Sequence, residues 1–232
     1  MQTVSGTEIR LLVGGRSNVF MVSNTQIKIL VDTGPAFSGK QLLNTLEKLE
    51  IKSIDYLLLT HTHFDHAANA YKLKDKFGLK IVVHETEAGY LLSGDSPLPA
   101  GTNAFTSWLV DNFGGWTNKR VRYPSCKADI IIKKDSEFSF TGIDAKIIHT
   151  PGHSAGSMCV IIDNEIALAG DSLIGVFPGN CFPPFADDVT ELMRSWEKLL
   201  STDCSLFLPS HGNARTRRML EQGLVRRRKS FR

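Results

Sequence analysis

The chain has 232 residues, a length typical of a single domain, and 42% of them are apolar and 22% charged. These fractions allow a sizeable buried core and exclude wholesale disorder. The formal net charge of +3 does not require a nucleic-acid partner. The sequence contains no apolar run of the ~18 residues that a membrane-spanning helix needs.

The cysteines and the first residues predict a compartment. The four cysteines form no CxxC pair and no pattern typical of a disulfide framework, and the N-terminal segment lacks the basic and apolar regions of a signal peptide. We therefore expect a cytoplasmic protein that acts on a small molecule without a membrane partner. A nucleic-acid partner is not expected, and a homodimer remains open.

Short apolar runs that end at turn residues predict strands in both halves of the chain. In chain order these runs cover residues 9–13, 19–22, 27–31, 54–60, 79–85, 128–133, 145–150, 157–162, 165–170 and 205–209. Helical spacing predicts helices over residues 41–50, 66–77 and 189–200, the last with Asp188 as N-cap and Glu191 in a capping box. Two series of strands, each with helices, predict one α/β domain over residues 1–232, with two packed sheets and helices outside.

Two segments depart from this pattern. Residues 89–119 contain prolines, glycines and the aromatic residues Phe105, Trp108, Phe113 and Trp116, which predict an insertion made of loops and a short helix. This insertion is either a lid or substrate wall, a dimer contact, or a small local core. The basic residues of 225–232 follow an expected basic helix and form either a solvated end or a weak contact with RNA or an anionic surface.

The histidines carry the chemical signal. Three of the seven, His61, His63 and His66, lie with Asp65 in the six residues HTHFDH. Neither the packing of a core strand nor the solvation of a loop explains three imidazoles in six residues. Imidazole and carboxylate groups are, however, common ligands of zinc and similar divalent ions.

Three further candidate ligands also lie just after the end of a predicted buried strand. His153 in TPGH, Asp171 in GDS and His211 in PSHG each follow a predicted buried strand, as HTHFDH does. Because loops at one edge of a sheet assembly converge, these side chains can surround a single point. Five histidines and two aspartates exceed what one tetrahedral ion needs and suit two ions that share a bridging carboxylate.

The motifs THTHFDH, TPGHSAGS, AGDS and PSHG together resemble the signature of the metallo-β-lactamase superfamily, and the early IKILVDTG resembles its opening strands. The resemblance implies an αββα sandwich of two mixed β-sheets flanked by helices, with metals at one edge. It also implies a ligand assignment: His61, His63 and His153 for one metal, Asp65, His66 and His211 for the other, and Asp171 as the bridge.

Such a pair of divalent ions, zinc by expectation with iron or manganese as alternatives, lowers the pKa of a shared water toward neutrality. The resulting metal-bound hydroxide would attack an ester, a thioester or a lactone, and a metal would stabilise the developing oxyanion. Asp65 is first a ligand in this scheme, with a second role in proton transfer to the leaving group.

Several branches and reactions of the superfamily remain open. Asp171 disfavours the antibiotic β-lactamases, which by resemblance lack this aspartate, and residues 191–199 resemble glyoxalase II. The ligand set also resembles that of lactonases, although no tyrosine lies between Asp171 and His211. The alternatives are a phosphodiesterase or nuclease, a persulfide dioxygenase with one iron on His61, His153 and Asp171, and a non-catalytic metal-binding protein.

Other residues have two interpretations each. His84 and His149 end apolar strands, so a structural role is expected for both. Asp32 either orients a metal-binding histidine or only shapes its turn. Three phenylalanines after Asp171 either line the pocket, which would make the substrate partly apolar, or pack in the core: Phe177, Phe182 and Phe185.

Overall fold

A computed structural model describes residues 1–118, 121–138 and 142–230, in which twelve strands form two six-stranded sheets. The first sheet comprises β1 (Glu8–Val13), β2 (Val19–Ser23), β3 (Lys28–Val31), β4 (Tyr56–Leu58), β5 (Lys80–His84) and β6 (Ile130–Ile132). The second comprises β7 (Ser136–Glu137), β8 (Ala145–His149), β9 (Met158–Ile162), β10 (Ile166–Gly170), β11 (Leu206–Pro209) and β12 (Arg215–Thr216).

Both sheets are mixed, as predicted. In the first sheet the strands lie in chain order, antiparallel from β1 to β3 and parallel from β3 to β6. In the second sheet the order is β12-β11-β10-β9-β8-β7, and only the β10–β11 pair is parallel. Because parallel strands end at the same edge, the loops after β4, β10 and β11 leave the sheets toward a common side.

The helices lie outside the sheets. They are α1 (Gly39–Lys48), α2 (Phe64–Ala67), α3 (Ala70–Phe77), α4 (Glu85–Ser93), α5 (Ala104–Asn118), α6 (Val189–Leu200) and α7 (Arg217–Ser230), with a 3-10 turn at Ala36–Ser38. In the described ranges, none of these helices combines the length and apolar character needed to cross a bilayer.

Three layers of apolar side chains make the sandwich. The two sheets enclose a central layer that includes Leu58 of β4 and Val160 of β9. Leu42 of α1 belongs to the layer outside the first sheet. Trp196 of α6 is fully buried outside the second sheet, where its Nε1–H donates to the carbonyl of Ser172 over 2.6 Å. The helical faces predicted from apolar spacing are therefore the ones that cover the sheets.

The helix predicted over residues 66–77 is interrupted at Asn69. The amide of Asn69 donates to Oγ1 of Thr33 over 3.1 Å, and its Nδ2 donates to the carbonyls of Thr33 and Pro35, each over 3.0 Å. These bonds tie Asn69 to the turn after β3, so α2 ends before it and α3 begins after it. The break orients the short helix that carries Asp65 and His66.

The segment of residues 89–119 contains the end of α4, a loop, and α5, which at 15 residues is longer than the short helix predicted. Its loop is bonded to the segment after β10. The amide of Ala186 donates to Ala100 over 2.8 Å, and the amide of Thr102 donates to Pro184 over 3.0 Å. Phe105 and Trp108 of α5 are exposed, whereas the side chain of Trp116 and residue 119 lie outside the described part of the chain.

The basic segment of residues 225–232 is partly packed against the domain, so it is not the wholly solvated end that was one of its two interpretations. Residues 225–230 belong to α7, and the guanidinium of Arg227 lies 3.7 Å from the ring centroid of Phe182. Residues 231–232 lie outside the described part. A cation over an aromatic face is stabilising, so at least this turn of the basic segment belongs to the folded domain.

The cap of α6 provides a test of local stability. The side chain of Asp188 accepts hydrogen bonds from the amides of Thr190 and Glu191, at 2.8 and 2.9 Å. We expect Asp188→Ala to lower the free energy of unfolding by about 1 kcal/mol in urea titrations, because two helix amides lose their acceptor. Asp203→Ala, at an exposed acidic position without such bonds, is the control and should change it by less than about 0.5 kcal/mol.

Candidate metal centre

Four loops meet at one edge of the two sheets. His61, His63, Asp65 and His66 follow β4, His153 follows β8, Asp171 follows β10, and His211 follows β11. Three groups of candidate ligand atoms lie within 4.8 Å of one another: His61, His63 and His153; His61, His66 and Asp171; and Asp65, His66 and His211. The structure therefore brings all seven predicted ligands together.

Asp171 lies between the two histidine groups. Its Oδ2 is 3.6 Å from Nε2 of His153 on one side. On the other side it is 3.6 Å from Nε2 of His66 and 3.2 Å from Nε2 of His211. Nε2 of His211 is also 3.4 Å from Oδ2 of Asp65. This central position is the one that a bridging carboxylate requires.

Hydrogen bonds orient the histidine rings. Nδ1 of His66 lies 2.9 Å from Oδ2 of Asp32, and Nδ1 of His153 lies 2.9 Å from the carbonyl oxygen of Phe185. Nδ1 of His211 is bonded to the carbonyl oxygen of Arg16. These oxygens are acceptors, so each Nδ1 carries the proton and each Nε2 presents its lone pair to the centre when the ring is neutral. His63 differs from these rings, because it is Nδ1 rather than Nε2 that faces another histidine, 3.1 Å from Nε2 of His153.

Asp32 organises a larger part of this network. It is fully buried, and its carboxylate accepts from the amide and hydroxyl of Thr60 and from the hydroxyl of Ser210, each over 2.9 Å. Thr60 Oγ1 in turn lies 3.2 Å from Nδ1 of His61. Asp32 thus orients a histidine ring directly, which decides between its two interpretations. Its φ of +60° also shapes the turn after β3, a conformation that aspartate tolerates better than most residues.

The buried donor and acceptor atoms fit a cation. Nε2 of His61, Nε2 of His66 and Oδ1 of Asp171 are buried and have no hydrogen-bond partner. Buried polar atoms without partners are costly, and divalent ions bound among them would satisfy all three. Imidazole nitrogens and carboxylate oxygens are also the donor set that zinc, iron and manganese share.

The protonation of the rings agrees with this fit. Burial lowers the pKa of His61 well below its ordinary value and that of His63 to about 3, so both rings are neutral and can bind a metal. Burial by itself would lower the pKa of His211, but the nearby carboxylate of Asp171 raises it to about 10. Burial by itself would raise the pKa of Asp171, but the charge of His211 holds it well below its usual range. The carboxylates therefore attract positive charge, either protons or metal ions.

A cavity of about 530 Å³ opens above these groups. The polar residues of its described lining are His63, Asp65, His153, Asp171 and His211. All the other lining residues are apolar: Phe64, Leu98, Pro99, Leu109, Val110, Phe113, Ile174, Val176, Phe177, Pro183, Pro184 and Phe185. The cavity thus has a polar base at the candidate ligands and an apolar wall.

The wall contains two of the three phenylalanines considered from the sequence. Phe177 and Phe185 line the cavity, whereas Phe182 is buried with its ring centroid 5.6 Å from that of Trp196. Phe185 has a second role, because its carbonyl holds the ring of His153. The segment of residues 89–119 also contributes to the wall, through Leu98, Pro99 and residues of α5, so it forms part of the cavity.

Sequence reasoning missed several buried residues that hold the site. Arg215 donates to the carbonyls of Ile174 and Phe177, over 3.1 and 2.9 Å, and so braces the loop after Asp171. Glu87 bonds to two of the ligand loops. No local pattern marks either residue, because their partners are distant in the chain. His84 and His149 stack with their centroids 4.1 Å apart and belong to none of the three ligand groups.

Comparisons with known proteins agree with the fold and the motifs. A family model described as metallo-beta-lactamase superfamily matches residues 12–211. A probable metallo-hydrolase of Methanocaldococcus jannaschii is 28% identical over 182 residues, which cover 78% of this chain and 79% of that protein. An acyl-coenzyme A thioesterase of Homo sapiens is 26% identical over 174 residues, covering 68% of this chain and 58% of that protein.

Solved structures share the architecture. A metallo-beta-lactamase from Cronobacter sakazakii with a mutated HARLDQ motif superimposes with a TM-score of 0.71, at 18% identity, covering 96% of this chain and 92% of that chain. At this identity the likeness concerns the fold alone. Together with the match of the family model, these findings show that the chain belongs to the metallo-beta-lactamase superfamily, as a metal-dependent hydrolase.

Proposed function

We propose that the chain is a dinuclear metal-dependent hydrolase of carboxylic esters, thioesters or lactones that carry an apolar acyl group. One observation carries this proposal: seven candidate ligands lie together, and five of them form the base of a cavity whose wall is apolar. His61, His63 and His153 would hold one ion, Asp65, His66 and His211 the other, and Asp171 would bridge them. When bound, two divalent ions activate a water and polarise the scissile carbonyl.

The side chains around the ions have separable tasks. Asp171 and the neutral rings of His61 and His63 supply the negative charge and the lone pairs that bind cations. Asp65 lies at the cavity, with its side chain 21% exposed, so a proton held at one of its carboxylate oxygens can reach a leaving group there. Asp65 therefore combines metal binding with proton transfer in this proposal.

The wall selects the class of substrate. Apolar surface binds a hydrocarbon group and excludes water from the reacting carbonyl. Among the described lining residues there is no lysine or arginine to bind the backbone of a nucleic acid, which disfavours a nuclease. The human relative is named an acyl-coenzyme A thioesterase, which supports a thioester as the first substrate to test.

Two finer assignments belong to this proposal. We propose zinc as the metal, because imidazole and carboxylate groups are common zinc ligands. Iron and manganese accept the same donors and are the alternatives. The run of residues 191–199 and the set of ligands support a branch similar to glyoxalase II or to the lactonases. Elemental analysis tests the metal, and a panel of glutathione thioesters, simple acyl thioesters and lactones tests the branch.

Metal removal should abolish hydrolysis. We expect a chelator to reduce thioesterase activity to background and zinc to restore it, with about two ions bound per chain.

His61→Ala should lower kcat/KM at least ~100-fold, because both ligand groups that contain this ring lose a donor. His149→Ala, outside the ligand groups, is the control. Unchanged activity of His61→Ala, or one bound iron with thiol-dependent oxygen uptake, would contradict the proposal.

The apolar wall should determine the preference for acyl length. Both Phe113 and Phe105 of α5 are exposed to solvent, but Phe113 lines the cavity and Phe105 is not part of the described lining. We expect Phe113→Ala to lower the ratio of kcat/KM for octanoyl over acetyl substrates about tenfold, because ~1.4 kcal/mol of apolar contact is lost. Phe105→Ala should leave this ratio within twofold. Equal ratios in both variants would show that the acyl group binds elsewhere.

A further inference from the structure

Glu87 of α4 is a buried acid that bonds to two ligand loops at once. Only 2% of its surface is exposed. Its Oε2 accepts from the amide of Thr62 over 3.0 Å and from the hydroxyl of Thr62 over 2.5 Å. Its Oε1 accepts from the hydroxyl of Ser154 over 2.7 Å and from the amide of Gly156 over 3.2 Å. Each carboxylate oxygen therefore serves one loop.

The first loop carries two of the three ligands of one subsite. The side chain of Thr62 bonds to Glu87, whereas those of His61 and His63 lie with His153 in one candidate ligand group. The carbonyl of Thr62 also accepts from the hydroxyl groups of Ser96 and Tyr123, each over 2.6 Å. All the backbone and side-chain polar groups of Thr62 are thus bonded, and the peptide between the two histidines is held in place.

The second loop carries the third ligand. Ser154 follows His153 directly, and its amide donates to the hydroxyl of Ser157 over 3.1 Å. Gly156 lies so close to Glu87 that a Cβ at this position would overlap with Cγ of Glu87 and Oγ1 of Thr86. Only glycine permits this approach, which explains the residue found at this point of TPGHSAGS.

We propose that Glu87 is a positioning residue that sets the separation of these two loops and thereby the metal affinity of the His61, His63 and His153 subsite. The separation is visible in the 3.1 Å between Nδ1 of His63 and Nε2 of His153. The carboxylate suits this task because four donors satisfy it, and because its place in the first turn of α4 is favourable for negative charge.

The other subsite depends on a different acid. Asp32 bonds directly to the ring of His66, which belongs with Asp65 and His211. Glu87 makes none of its four described bonds to α2, which carries Asp65 and His66, or to the loops of Asp171 and His211. Loss of Glu87 should therefore act mainly on one of two metal-binding steps. This inference shares the ligand assignment of the proposed function but not its reaction.

The test compares Glu87→Gln with Glu85→Gln, an exposed acid in the same first turn. The amide nitrogen of glutamine cannot accept, so one of the two loops loses its acceptor. Zinc binding is measured by competition with a chelator, and the visible absorption of the cobalt-loaded protein reports ligand geometry. We expect Glu87→Gln to weaken one binding step about 10–100-fold and to alter the cobalt spectrum. The other step, and both steps in Glu85→Gln, should remain within twofold.

Two further variants keep the proposal falsifiable if Glu87→Gln does not fold. Ser154→Ala and Thr62→Val each remove one hydroxyl donor to Glu87, and both should weaken the same binding step to a smaller degree. The proposal is overturned if Glu87→Gln binds both ions like Glu85→Gln, or if both steps weaken equally while the Tm of the metal-free protein falls. If both ions bind as expected but no acyl substrate is hydrolysed, the proposed function fails and the role of Glu87 stands.

Discussion

The centre depends on keeping several imidazoles and carboxylates together in a buried place. Such groups are costly to bury, and five histidine rings without partners would drive the loops apart. Two fully bonded acids, Asp32 and Glu87, counter this tendency by holding the loops from the side opposite the ligand atoms. Within the centre, the buried atoms without partners are Nε2 of His61, Nε2 of His66 and Oδ1 of Asp171, which are candidate ligand atoms.

The fold makes this arrangement possible because it collects loops from both sheets at one edge. The parallel pairs β3–β4 and β10–β11 end on the same side, so their loops need only a few residues to reach the centre. The central apolar layer fixes the two sheets relative to each other. A shift of one sheet over the other would separate His63 from His153, which makes packing of the core a condition for metal binding.

The apolar cavity and the ligand cluster are one connected structure. Phe185 belongs to the cavity wall, and its carbonyl orients His153. The loop that carries it is bonded to the segment of residues 89–119 through Ala100 and Thr102. The wall is therefore built into the fold through backbone hydrogen bonds, and Phe185 connects it to the ring of a candidate ligand.

Apolar runs along the sequence indicated the fold class, and the resemblance of four short motifs to a known signature indicated the family and the seven candidate ligands, because both kinds of signal are local. Only the tertiary structure decided which residues hold the ligands and which wall faces them. Glu87 bonds to Ser154 across 67 positions, Asn69 interrupts a helix by bonding to the turn after β3, and Phe182 packs on Trp196 while its neighbours line the cavity. Bonds and packing between distant residues depend on how the sheets come together, and that leaves no periodic trace along the chain.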